Sequence, residues 1–320
     1  MSKLKLGRET GIITALCILI LTFSILNPIY LSASNMIDII KQSTINGLFA
    51  IGMTLVIITS GIDLSVGSIF AIAIVTVGKL LNGGVPIIIA VLIGLFIGFV
   101  LGIINGILIT KAKLQPFIVT LGTMSVYRGI SYIITGGWPV LDISEKFRKM
   151  YDGDIMDFFP ISVLILFSVS ILMYILLKYT KFGSYIYALG SNEEATELSG
   201  VNVKFHKMIA YGICGVTASL AGIILLARLG TGEPTAGIGY ELNAIAAAAV
   251  GGASLSGGKG SIQGTILGTL LLSALRVGLI VIGVDSFWQY IATGIIIVLA
   301  ASFEIIQERL TILQLKNRKE

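Results

Sequence analysis

The chain has 320 residues, of which 55% are hydrophobic and 12% charged, with a mean hydropathy of +0.97. Ordinary soluble chains carry about 25% charged residues, so a soluble globular domain is excluded. The net charge of +5 is spread over several loops and lends no support to nucleic-acid binding. Cys17 and Cys214 both lie inside apolar runs, which excludes a disulfide framework and any zinc-ligand spacing.

Uninterrupted apolar runs near the ~20 residues needed to cross a bilayer must be helical, because hydrocarbon offers backbone amides no other partners. The sequence therefore predicts an all-α integral membrane protein of a single domain, 1–320. It has about ten transmembrane helices, some broken or re-entrant. The first run, Gly11 to Leu26, follows Lys3, Lys5 and Arg8 and reads as a retained helix; Ser32-Ala33-Ser34 is a loose match to a signal-peptide cleavage site. Further runs cover 42–60, 65–82, 85–110, 116–135, 160–178, 207–228, 241–257, 261–283 and 286–304, the 241–257 run being a candidate re-entrant segment. Gly94, Gly98, Gly102 and Gly106 repeat every four residues, as do Gly260, Gly264 and Gly268. Such stripes predict closely packed helices.

An even number of spans puts both termini on one side. With that side cytoplasmic, 14 of the 22 basic residues lie in inside segments, as the positive-inside rule requires. The loop 179–206 is then cytoplasmic and the loop 136–159 extracytoplasmic. The outer loop holds Asp142, Glu145, Asp152, Asp154 and Asp157, an acidic surface that can receive an external partner or simply be solvated.

The loop 179–206 carries its own helix signals. Ser191 and Glu194 read as a capping box, Gly200 as a left-handed C-cap, and Glu193 and Glu194 sit near the positive end of a helix of about two turns. Ala195 and Leu198 share one side of it. Asn192 and Ser199 flank the same short helix.

Two breaks interrupt the apolar pattern, TSGIDLSVGS at 59–68 and GGASLSGGKGS at 251–261, and both contain Leu-Ser-x-Gly. Discontinuous helices of this kind often border a solute path. Asp63 and Ser65 are candidates for that path or for helix caps. The second break resembles a phosphate-binding loop but fails on spacing: Gly252 and Lys259 are correctly separated, yet Gly260 occupies the position of the magnesium-binding hydroxyl. No nucleotide site is expected in this chain.

Asn105, Asn243, Trp288 and Gln289 can offer hydrogen bonds or a stacking face to a polyhydroxylated solute, or can join helices to each other. Arg128 and Arg276 face a cavity or snorkel to the interface. His206, the only histidine, has no catalytic partners around it. An ion-coupled carrier or a membrane enzyme would need a charged relay or a catalytic cluster in mid-membrane, and none is evident.

Four stretches together resemble the membrane permease of bacterial ribose-type ABC importers: GMTLVIITSGIDLSVGS at 52–68, YIYALGSNEEATELSGVNV at 185–203, LAGIILLARL at 220–229 and PTAGIGYELNAIAAAAVGGASLSGGKG at 234–260. The resemblance implies two permease copies forming the pore in the bacterial inner membrane. It also implies an ABC-type ATPase subunit that binds ATP and magnesium, and an extracytoplasmic solute-binding protein; membrane lipid surrounds the pore. The cytoplasmic coupling segment of that family maps onto Ser191 to Val203. One departure stands out: where ribose permeases carry an Asn-rich stretch before the last loop, the sequence reads ALRVGLIVIGVDSFWQY at 274–290. That leaves ribose, galactose, xylose, another monosaccharide or an autoinducer-like sugar derivative open as the solute. In the wider related group, branched-chain amino acids and nucleosides also remain.

Overall fold

The computed structural model describes residues 8–152, 154–155, 159–285, 287–292, 294–296, 298–299 and 302. It is built from helices: α1 Arg8–Leu26, α2 Ala33–Ile58, α3 Val66–Asn82, α4 Ile87–Thr110, α5 Pro116–Thr135, α6 Glu145–Asp152, α7 Ile161–Tyr179, α8 Lys181–Ser191, α9 Glu193–Leu198, α10 Val203–Leu229, α11 Tyr240–Val250 and α12 Ile262–Val281. Helical residues resume at 287–292. The only strands among the described residues are the two-residue β1 (Asp154–Ile155) and β2 (Phe159–Pro160), paired antiparallel in the loop after α6.

Six of these helices, α2, α4, α5, α7, α10 and α12, are long and apolar enough to cross a membrane; α3, α11 and the apolar part of α1 are shorter. The expected 42–60 span begins earlier, at Ala33, where the Ser32 hydroxyl accepts from the Asn35 amide. The polar residues Asp38, Lys41 and Gln42 mark the end of the apolar stretch but do not end the helix. The expected 241–257 span is shorter, since α11 stops after 11 residues. Its last turn is closed by Gly252 N–H to Ala249 O and Ala253 N–H to Ala248 O, with Gly252 at φ +91°. That is the Schellman arrangement, which places a glycine where a side chain would be strained. The glycine-rich break thus ends α11 short of a full crossing.

The core lies along α2 and α10. Residues Gly47 to Ile58 of α2 are buried almost without exception. The glycine stripe of α4 packs directly on α10: a Cβ on Gly98 would fall 2.0 Å from Ser219 Oγ, and one on Gly102 2.2 Å from the Tyr211 carbonyl oxygen. The second stripe works likewise, since a Cβ on Gly268 would meet the Ala247 carbonyl of α11 at 2.2 Å. In contrast, α1, α4, α5 and α7 turn large apolar side chains outward, among them Ile25, Phe96, Ile133 and Phe167. An outer surface of this kind suits hydrocarbon rather than water.

Between α5 and α7, helix α6 packs against the bundle. Phe147 is fully buried, and Val140 pairs with Gly232 beyond the end of α10.

Candidate functional site

Two features stand out, a short helix at one end of the bundle and a cavity between helices. The short helix is α9. Its N-cap is Asn192, whose Oδ1 accepts from the Ala195 amide at 2.9 Å. This corrects the expected Ser191 cap: Ser191 is the last residue of α8, and its hydroxyl donates back to the Tyr187 carbonyl. An amide one residue on displaces the serine because α8 runs unbroken to Ser191. The expected glycine stop is found as read. Gly200 has φ +84°, its N–H meets Glu197 O, and Val201 N–H reaches Thr196 O. Thr196 faces inward and Leu198 is 84% exposed. Glu193 pairs with Lys207 and the Asn202 side chain caps α10, so α9 is tied to α10 beyond its own short length. Ala195, Glu194 and Ser199 are exposed or near-surface, or serve the helix's own bonds, with Ser199 Oγ donating to Ala195 O.

The cavity has a volume of about 200 Å³ and lies between α2, α11, α12 and the residues Gln289, Tyr290, Ala292 and Gly294. Asn46 of α2 lines it; its Oδ1 is buried and accepts no hydrogen bond. A buried acceptor left open costs on the order of 1–3 kcal/mol, so this position favours a donor group. Tyr240, Asn243, Thr269, Gln289 and Tyr290 add polar and aromatic edges. Arg276 completes the wall and donates from Nε to Gln289 Oε1 at 3.0 Å. Among the described lining residues there is no carboxylate. The wall thus combines the Arg276 guanidinium with neutral amide, hydroxyl and aromatic groups, a set that can hydrogen-bond the oxygens of a hydroxyl-bearing solute.

Of the residues expected to border a path, Asn243 and Gln289 line this cavity. Trp288 is 60% exposed and is not among the lining residues. Asp63, Ser65 and Asn105 come together elsewhere, fully buried at the start of α3. Asp63 Oδ1 accepts from both the Ser65 amide and hydroxyl, and Asn105 Nδ2 donates to Ser65 Oγ at 2.8 Å. This is an Asx turn that launches α3, reinforced from α4. Arg128 of α5 donates to the carbonyl oxygens of Pro234, Ala236 and Gly67, joining α3, α5 and the segment before α11. Asn46 is not among the residues expected from sequence; its only sequence signal is an amide within an apolar span, which equally marks a residue that joins helices.

A family model described as "Branched-chain amino acid transport system / permease component" matches residues 35–301. The chain is 43% identical to the ribose import permease protein RbsC of Bacillus subtilis, over 92% of this chain and 91% of the relative. It is 36% identical to the D-allose transport system permease protein AlsC of Escherichia coli, over 92% and 90%. It is 34% identical to the galactose/methyl galactoside import permease protein MglC of Salmonella typhimurium, over 93% and 94%. No solved structure matches the chain.

Proposed function

Given that the chain belongs to the family of branched-chain amino acid transport system permease components, we propose that it is the permease subunit of an ABC importer for a monosaccharide. The observation that carries this is the 34–43% identity with ribose, allose and galactose permeases over 92–93% of the chain. An ATPase subunit and a solute-binding protein are the partners that such a permease works with. In this reading two copies of the chain form the pore, and both termini face the cytoplasm, as the distribution of lysine and arginine supports. ATP and magnesium belong to the ATPase subunit.

The cavity is then the solute site. Asn46 Oδ1 takes a sugar hydroxyl as donor, Arg276 and Gln289 act on the opposite wall, and Tyr240 and Tyr290 offer faces to the apolar side of a sugar ring. At the other end, α9 meets the ATPase, with Leu198 as the apolar knob and Glu193, Glu194 and Asn192 around it. Asp63, Ser65, Asn105 and Arg128 support the walls of the path through α3 rather than touching the sugar.

Reconstitution with the native ATPase and binding protein in proteoliposomes tests the reading. Radiolabelled ribose, allose and galactose are offered with and without internal ATP, with leucine as the contrasting solute. Accumulation of one sugar that requires ATP is expected. Accumulation of leucine alone, or uptake indifferent to ATP, would overturn it. In the same system Lys259→Ala should leave ATP binding unchanged, measured by nucleotide retention on the purified complex.

A further inference from the structure

The two glycine-rich breaks are far apart in sequence but meet at a single point, the end of α8. Ile58, the last residue of α2, accepts from the Gly258 amide at 2.9 Å, so the end of α2 is joined directly to the break between α11 and α12. Ser60 Oγ lies 3.1 Å from the carbonyl oxygens of both Gly190 and Ser256, donating to one at a time. The Tyr187 hydroxyl donates to Gly260 O at 2.7 Å. All three segments therefore bond to one another within the last turn of α8.

Gly190 sits at the centre of this junction. A Cβ there would lie 1.7 Å from Ile58 O and 2.7 Å from the Gly258 nitrogen, which is the space of the bond joining the two breaks. The junction is also strained. Ser60 occupies the left-handed region at φ +59°, the position that Gly252 and Gly200 fill in the otherwise similar ends of α11 and α9. Ser60 N–H meets Ile57 O and Gly61 N–H meets Val56 O, so a serine closes this helix where a glycine would be free of strain. Strain of this kind persists only where surrounding contacts hold it, and here those contacts come from α8 and the second break.

The junction's position gives it leverage. Asn192, two residues after Gly190, is the N-cap of α9. In the opposite direction, α2 runs from Ile58 to Asn46 of the cavity, and α11 and α12, which flank the second break, carry its other walls. We propose that the Gly190 junction is the positioning device that converts displacement of α9 into movement of α2 against α11 and α12, and so closes or opens the solute path. Gly190 and Tyr187 are its positioning residues, and Ser60 is its strained latch. The inference rests on the reading of α9 as the ATPase contact.

Three variants of the reconstituted complex separate the possibilities. Leu198→Asp tests the contact itself and should abolish co-purification of the ATPase; normal association there would remove the premise. Gly190→Ala is expected to keep ATPase association and hydrolysis but to lower the sugar taken up per ATP by about tenfold, within the usual range of coupling between sites. Tyr187→Phe removes one hydroxyl without adding volume, and should lower that ratio by about fivefold, as for loss of one hydrogen bond. If Gly190→Ala fails to assemble, Tyr187→Phe decides alone: a lowered ratio supports the junction. A wild-type ratio in Tyr187→Phe, and in Gly190→Ala wherever it assembles, would overturn the junction while leaving the α9 reading intact.

Discussion

The polar residues within the bundle divide by whether their hydrogen bonds close inside the protein. Arg128 looks from sequence like a charge that faces a cavity or snorkels, yet its guanidinium donates to three main-chain carbonyls, one in α3 and two in the segment before α11. Arg128→Met should therefore lower thermal stability in detergent, by about 2 kcal/mol for the lost charge-assisted hydrogen bonds, the Pro234 carbonyl keeping its bond from Ser131 Oγ, with little effect on the sugar's KM beyond what instability causes. Asn46 is the reverse case: it lines the cavity, and its buried Oδ1 accepts no hydrogen bond. Asn46→Ala should leave stability nearly unchanged and raise the KM for sugar uptake by about tenfold, the loss of roughly one hydrogen bond to a ligand. Both outcomes can be read from one preparation by differential scanning fluorimetry and a transport assay. The sequence marks Asp63, Ser65, Asn105, Arg128 and Asn46 equally as polar residues among apolar ones. Only the third dimension shows whose partners are already present, which is why residue-level roles were the least legible part.

Among elements, local chemistry was legible wherever glycine or a small residue had a single physical use. The stripe from Gly94 to Gly106 announces a close helix contact, and its backbone-to-backbone approach to α10 has no room for a side chain. Gly102→Leu should accordingly prevent recovery of a monodisperse protein, checked by size-exclusion chromatography in detergent. The stop at Gly200 was also legible, because the left-handed turn is costly for other residues. The start of α9 was not, since Ser191 and Asn192 are both good caps and the choice depends on where α8 ends. Asn192→Ala should cost about 1 kcal/mol of local stability. Its signature would be faster amide hydrogen exchange at Ala195, whose N–H the Asn192 side chain holds. Helix lengths escaped for a different reason: hydropathy reports where lipid begins, whereas α2 continues past that boundary and α11 stops short of it.

At the scale of the whole molecule, the proposed orientation rests on charge. Fourteen of 22 basic residues fall in the segments assigned to the inside, and that count is the argument for putting α9 on the cytoplasmic side. Orientation decides the mechanism, because an ATPase can reach α9 only from the cytoplasm. Cysteine reporters test it in intact cells with a membrane-impermeant maleimide. Asp142 lies in the exposed turn before α6 and Glu194 on the exposed side of α9. In a background with Cys17→Ser, Asp142→Cys should label from outside, and Glu194→Cys only after the membrane is permeabilised; Cys214 is buried and should stay silent. The reverse pattern would place the termini, α9 and the Gly190 junction on the outside. The residues around Asn46 would still line a cavity, but its coupling to ATP would have to enter through the opposite loops, including 136–159, and the role assigned to α9 would fail with it.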